Sequence, residues 1–288
     1  MSWREQIVKA ILAKGGRTDL TTPGFHGTMR SFGGFRNQPV ADSYMIDRSL
    51  GSHVAADPAL ASSFPDRLIE GAQKAGRELS GAPQVLPVMI PDESRFLQAT
   101  QPRYPGRVDT PESPTWRNVL SDQTAIEQMA AEKAYPQNPE ILERYLMQAR
   151  QLPAQEAIPA ARALVRGDTV RSEGLDMDLA RFVKNYGGKP YNDADRQAVV
   201  DLAREAWEKE GHKGIRYINT APMEAGAPGV KDPTSYIVFR PENIRSRFAK
   251  FDPANASSSD LLATVAGLAA VPPTLGAFTA QDTYEARP

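Results

Sequence analysis
Apolar positions along the chain follow two periods, and the switch between them organises it. Residues 3–14 put Trp3, Ile7, Ile11 and Leu12 on one face of a helix that Gly15-Gly16 stops. Asp57-Pro58 ahead of ALASSF supplies an N-cap and a proline at the first helical position. Pro65 then ends this helix or opens a second short one reaching Arg77. VLPVMI (85–90) is a short apolar run between turn formers, the pattern of a buried strand. Residues 91–115 carry Pro91, Pro102, Pro105, Pro111 and Pro114 and read as loop. Helical spacing then dominates, over 122–134, 138–151, 154–165, 175–186 and 193–210, the last closing on a Gly cap. Strand character returns in GIRYIN (214–219). After a Gly/Pro loop over 221–233 comes SYIVF (235–239), the strongest strand signal in the chain. Strands, then helices, then strands again predict an α+β fold whose single core is split by a helical insertion.

Composition narrows the chemistry. Among 288 residues, 34 Lys and Arg face 35 Asp and Glu, so no global field draws the chain to nucleic acid or an acidic membrane. Cysteine is absent, which excludes disulfide scaffolds, thiolate zinc sites and thiol catalysis. Three histidines are too few for a His-rich metal centre but enough for one or two site roles, and no metal is expected. The 21 Gly and 24 Pro exceed the usual share of about 12% and imply many turns. The N-terminus lacks the apolar core and cleavage site of a secretory signal. Residues 254–288 place Asn255, a Ser run and Asp260 ahead of LLATVAGLAA, and no charge occurs over 261–281. Pro272-Pro273 interrupts that stretch and no basic flank adjoins it. A short packing helix with a tail is therefore expected, not a membrane span.

Three blocks could carry chemistry. FHGT sets His26 beside Gly27, which permits close approach of a ligand, and beside the hydroxyl of Thr28; the bland alternative is a turn with a buried histidine. LGSHVAADPALASSF (50–64) puts His53 at the end of a short strand that runs into a capped helix; the alternative is a strand histidine facing solvent. DPTSYIVFRPENIRSRFAKFDP (232–253) closes with Arg240, Arg245, Arg247 and Lys250. These are either a phosphate or partner contact or a solvated face paired with Glu242 and Asp252. His212 sits at a helix end, where it caps carbonyls, and Trp116 and Trp207 read as core anchors. No nucleophile-elbow motif is present.

Taken in order, FHGT, G-x-H-x-A-x-x-P-x-x-A-x-x-F and SYIVF-x-P-x-x-I-R-S resemble the ADP-ribosyltransferase fold. The nearest likeness is to the phage and polyvalent-protein branch of its His-Tyr-Glu (diphtheria-toxin and PARP-like) clade. It covers roughly residues 20–90 and 208–253. It implies a split, bent β-core over 21–111 and 211–253, flanked by an N-terminal helix (1–20), a helical insertion (112–210) and a C-terminal helix and tail (254–288). By this resemblance NAD lies in the cleft. His26 holds a ribose hydroxyl, the Gly27 backbone holds the nicotinamide amide, and Thr28 is its hydroxyl neighbour. His53 takes the place of the stacking tyrosine, and Tyr236 lies on the closing strand beside the cofactor. Ser235 stands where the family has its catalytic glutamate. That departure leaves Asp232, three residues upstream, as the candidate replacement, with Glu224 a more distant one.

The implied function is a phage- or prophage-encoded mono-ADP-ribosyltransferase. It would move ADP-ribose from NAD to a host protein or, in second place, a nucleic acid, in the bacterial host cytoplasm. The alternatives are NAD hydrolysis without an acceptor, and a catalytically degenerate NAD- or ADP-ribose-binding protein or a virion-associated structural protein, ejected with the phage DNA and in contact with phage virion proteins. The helical insertion would serve as a lid, a partner-binding module or a support.

Overall fold
A computed structural model describes residues 19–29, 32–40, 46–79, 81–99, 122–172, 175–186, 192–219 and 226–247. The expected helix over 3–14, Trp116, Glu224, Lys250 and the segment 254–288 lie outside the described residues. The fold is α+β. Seven strands form one mixed sheet: β1 (Thr22–Thr28), β2 (Ser52–Ala55), β3 (Gln84–Ile90), β4 (Phe96–Gln98), β7 (Gly214–Ile218), β8 (Thr234–Val238) and β9 (Arg245–Ser246). Their spatial order is β4-β7-β8-β2-β1-β3-β9, with a separate hairpin of β5 (Val170–Ser172) and β6 (Leu175–Met177). The helices are α1 (Ile46–Leu50), α2 (Pro58–Lys74), α3 (Asp122–Ala134), α4 (Pro139–Gln148), α5 (Ala154–Val165), α6 (Leu179–Tyr186) and α7 (Asp193–Lys209).

The pairing registers divide the sheet in two. β1 pairs with β3 along its whole length, from Thr22↔Ile90 to Thr28↔Gln84. β2 likewise pairs with β8 from Ser52↔Val238 to Ala55↔Ser235. Between β1 and β2 the register has a single pair, Phe25↔Ala55. One half, β4-β7-β8-β2, is therefore joined to the other, β1-β3-β9, at one point. From His26 onward β1 leaves β2 while keeping its ladder to β3.

Each face is covered differently. Val54, Val88, Ile90, Tyr236 and Val238 are buried beneath Phe35, Phe96 and Ile244. On the opposite face, α2 lays Leu60 and Ala61 against Phe25, Ala55 and Val85. The helices of the insertion cover Ile215, Tyr217, Ile237 and Phe239. Trp207 stacks on Phe239 with ring centroids 5.8 Å apart and planes 11° apart, which adds about 1 kcal/mol beyond the area buried. The helices over 122–209 thus share the core of β7 and β8.

Several elements depart from the sequence expectations for identifiable reasons. FHGT is not a turn: it is the second half of β1, where a ladder with β3 outweighs the weak strand propensity of glycine. Helix was expected from 175, but residues 175–177 pair with β5 and the helix starts at Leu179. Pro65 neither ends nor restarts a helix, because α2 runs through it to Lys74. The proline removes the hydrogen bond to the Ala61 carbonyl, and that carbonyl packs instead against Gly27, where no side chain competes for space. The loop expected from 91 contains β4, three residues long and too short to show a period. The other helical boundaries agree to within a few residues. α7 ends as expected on Gly211 (φ 93°), although it is the His212 backbone N–H that reaches the Trp207 carbonyl, at 2.9 Å. Among the described residues no helix is long and apolar enough to cross a membrane.

Candidate functional site
The site is built where the two half-sheets part. His26 is the first residue of β1 beyond its only pairing with β2, and its Nδ1 lies 2.7 Å from the backbone oxygen of His53. A carbonyl oxygen only accepts, so Nδ1 carries the proton and Nε2 is left as an acceptor. The ring is held edge-on by Phe32 and Phe35, with centroids at 5.6 and 4.9 Å. Burial lowers the His26 pKa below the usual value; the His53 carbonyl opposes this, and the neighbouring His53 ring adds to it. His26 is thus a neutral, oriented acceptor that ties the two half-sheets together.

Gly27 is required by packing. A Cβ there would lie 1.9 Å from the Ala61 carbonyl oxygen and 3.0 Å from Cδ of Pro65, so α2 reaches β1 only because this position is bare. Thr28 ends β1 opposite Gln84 and is partly buried. α2 is itself fixed by Asp57, whose Oδ1 accepts from the N–H of Ala59 at 2.8 Å and of Leu60 at 3.4 Å. The other oxygen of Asp57 accepts from the Lys231 N–H at 3.2 Å, joining the helix start to the loop before β8.

His53 sits on β2, not at its end, and pairs with Ile237 of β8. Alternation from the Phe25↔Ala55 pair sends the His26 ring to the face of Val54 and the His53 ring to the opposite face. The two histidines therefore meet through the His53 carbonyl, and their rings flank the split from opposite sides. His53 Nδ1 lies 3.2 Å from the Tyr217 hydroxyl, and Nε2 lies 3.6 Å from Oδ2 of Asp47. The last distance exceeds a hydrogen bond, and Nε2 is buried without a hydrogen-bond partner. Asp47 itself is 8% exposed and accepts from the Arg48 N–H at 2.9 Å.

The closing strand divides its residues between the two faces, Ser235 on that of His53 and Tyr236 on that of His26. Ser235 is 2% exposed, pairs with Ala55 and Tyr217, and its Oγ has no hydrogen-bond partner. Asp232 accepts from the Thr234 N–H at 3.0 Å, the turn that starts β8. Tyr236, on the face opposite Ser235, donates its hydroxyl to Oε1 of Glu93 at 2.8 Å. Burial, with the Glu93 carboxylate beside it, pushes the Tyr236 pKa up, while Arg216 opposes the rise. The basic run is dispersed. Arg240 forms a bidentate pair with Glu208 of α7 at 2.7 and 2.6 Å, and Arg245 is 5% exposed and donates to the Ile244 carbonyl at 2.8 Å.

Sequence reasoning missed Asp47, Tyr217 and Glu93. Tyr217 carried a signal, because it shares the apolar face of GIRYIN with Ile215 and so buries a hydroxyl that needs a partner. Asp47 lies on a helix of five residues and Glu93 on a single turn, both below the length at which a pattern shows. The chain matches no protein-family model, no curated protein and no solved structure.

Proposed function
We propose that the chain is an ADP-ribosyltransferase-type protein, phage- or prophage-encoded, that binds NAD at the β1/β2 split and transfers ADP-ribose to a host macromolecule. One observation carries this reading. A seven-stranded sheet is parted between two strands, and a neutral histidine stands at the parting with Nε2 set to accept a hydroxyl. The order of the three sequence blocks supports it as well: FHGT lies on β1, His53 on β2 and Ser235-Tyr236 on β8, which are adjacent in the sheet.

In the reaction, the bond between C1′ of the ribose and the nicotinamide nitrogen breaks, and its electron pair leaves with nicotinamide. A bond forms from C1′ to the acceptor atom, whose proton passes to solvent. NAD would enter at the split, with a ribose hydroxyl donating to His26 Nε2. Because α2 fills the bare side of Gly27 and the His53 ring lies on the other face, the nicotinamide would reach His53 only by passing through the split past the Gly27 backbone. Thr28 would serve as a hydroxyl neighbour. Host cytoplasm is the compartment where both NAD and a host acceptor are present.

Ser235 favours a second reading. A buried, unpartnered hydroxyl supplies no negative charge at the position of the family glutamate, and the Asp232 carboxylate is engaged in its own turn. A binding protein for NAD or ADP-ribose without turnover, carried with the virion, would show this pattern. Incubating the purified chain with labelled NAD and bacterial lysate separates the readings. Label on a lysate component, with nicotinamide released, supports transfer; binding without release supports the second reading; neither binding nor release refutes both. Free ADP-ribose formed at one rate with and without lysate marks hydrolysis.

A further inference from the structure
Across β4, β7 and β8, Gln98, Arg216 and Tyr236 stand opposite one another in register, so their side chains share one face of the sheet. Arg216 is a partly buried cation held by neutral groups. Nη1 donates to Oε1 of the exposed Gln98 at 2.9 Å, and Nη2 lies 3.5 Å from Thr234 Oγ1, long for a hydrogen bond. Nε is buried with no hydrogen-bond partner. Among the described residues no carboxylate forms an ion pair with this guanidinium. Glu93 instead accepts from the Tyr236 hydroxyl at 2.8 Å. Arg196 and Arg204, also partly buried, each carry an aspartate partner. Arg216 is thus withdrawn from water without a compensating charge, which costs stability unless an anion completes it. A carboxylate offers the guanidinium end two parallel bonds, and only the exposed Gln98 amide has to swing aside to admit it. Phosphate suits the position less well, because no second cation contacts Arg216 and the Glu93 carboxylate stands on the neighbouring phenol.

Alternation along β7 puts Ile218 on the same face, two residues beyond Arg216 and about 7 Å along the strand. Ile218 is 45% exposed, whereas Ile215 on the opposite face is buried. We propose that this face of β7 docks an extended acidic segment of a protein partner. Its carboxylate is clasped by Arg216, and an apolar side chain two residues away covers Ile218. An extended segment repeats its side chains every two residues, the spacing that β7 presents. β8 and β2 separate β7 from the split, so the docking face stands whether or not NAD binds there.

The probes are two capped five-residue peptides and inorganic phosphate. One peptide has glutamate second and leucine fourth, and the other replaces the glutamate with glutamine. Binding to the full chain is followed by NMR through the side-chain Nε–H signal of Arg216. The glutamate peptide should move this signal saturably and bind roughly tenfold more tightly than the glutamine peptide, the effect of one charge-assisted pair. Arg216→Lys keeps the charge but loses the fork, and should weaken the glutamate peptide roughly fivefold. Ile218→Ser, at an exposed position, should weaken it roughly threefold. Glu93→Gln should tighten it by removing a like charge. Equal affinity for the two peptides, binding that leaves the Arg216 signal unmoved, or a signal moved by phosphate alone overturns the proposal. Unchanged affinity in Ile218→Ser overturns the extended pose.

Discussion

At the scale of single residues, the account turns on His26. Its pKa is lowered from 6.5 in the folded chain, chiefly by burial, so the unfolded chain binds its proton first as pH falls. The stability this residue contributes is therefore complete above about pH 6.5 and is lost as pH drops through the folded value. Urea titrations at pH 8 and pH 5 should show wild type losing more stability than His26→Gln; parallel losses would contradict the assignment. Gly27→Ala should destabilise by about 1–3 kcal/mol, because the new Cβ would meet backbone of α2, which cannot rotate away. Its denaturation midpoint checks this, and a neutral effect would mean that α2 sits farther from β1. Both positions were legible in the sequence as types of residue, but not the reason for them. His26 was read for a ligand and also proves to tie two strands; Gly27 was read for its backbone and also proves to admit a helix.

Elements were legible in proportion to length. The long helices of the insertion and the apolar strands β3 and β8 announce themselves by period and propensity. β4 with three residues, β9 with two and α1 with five present no period to read, and all are held by neighbours. β1 was hidden by its own composition, since Pro23, Gly24 and Gly27 argue locally for a turn while two flanking strands argue for extension. α2 shows local chemistry prevailing where it is strong. Asp57 caps the helix and also binds the Lys231 N–H of the loop that precedes β8. Asp57→Ala should cost about 1 kcal/mol at the helix start. It should also speed amide exchange in the loop over 226–233 together with the first turn of α2. Faster exchange at the helix alone would mean the loop is held by other contacts.

At the scale of the whole molecule, the sequence suggested an α+β fold, and the mixed sheet with its helices agrees with that. What periodicity could not show is that the helices bury the same face of β7 and β8 that carries Tyr217 and Ile237. That is long-range packing, with no local mark beyond an unusually apolar strand. Sheet and helices should consequently unfold together. Trp207→Ala, which removes the ring stacked on Phe239, should cost about 3–5 kcal/mol and shift one cooperative transition. Two separate transitions by far- and near-ultraviolet circular dichroism would contradict a shared core.

The reading of the whole as an NAD-using protein rests on the parting of the sheet at His26. Calorimetric titration of NAD into the wild type and into His26→Ala tests it most directly. Saturable binding by the wild type, weakened at least tenfold in a His26→Ala variant whose thermal unfolding remains cooperative, is the expected result. Equal affinity in the two proteins, or no binding to the wild type, would contradict it.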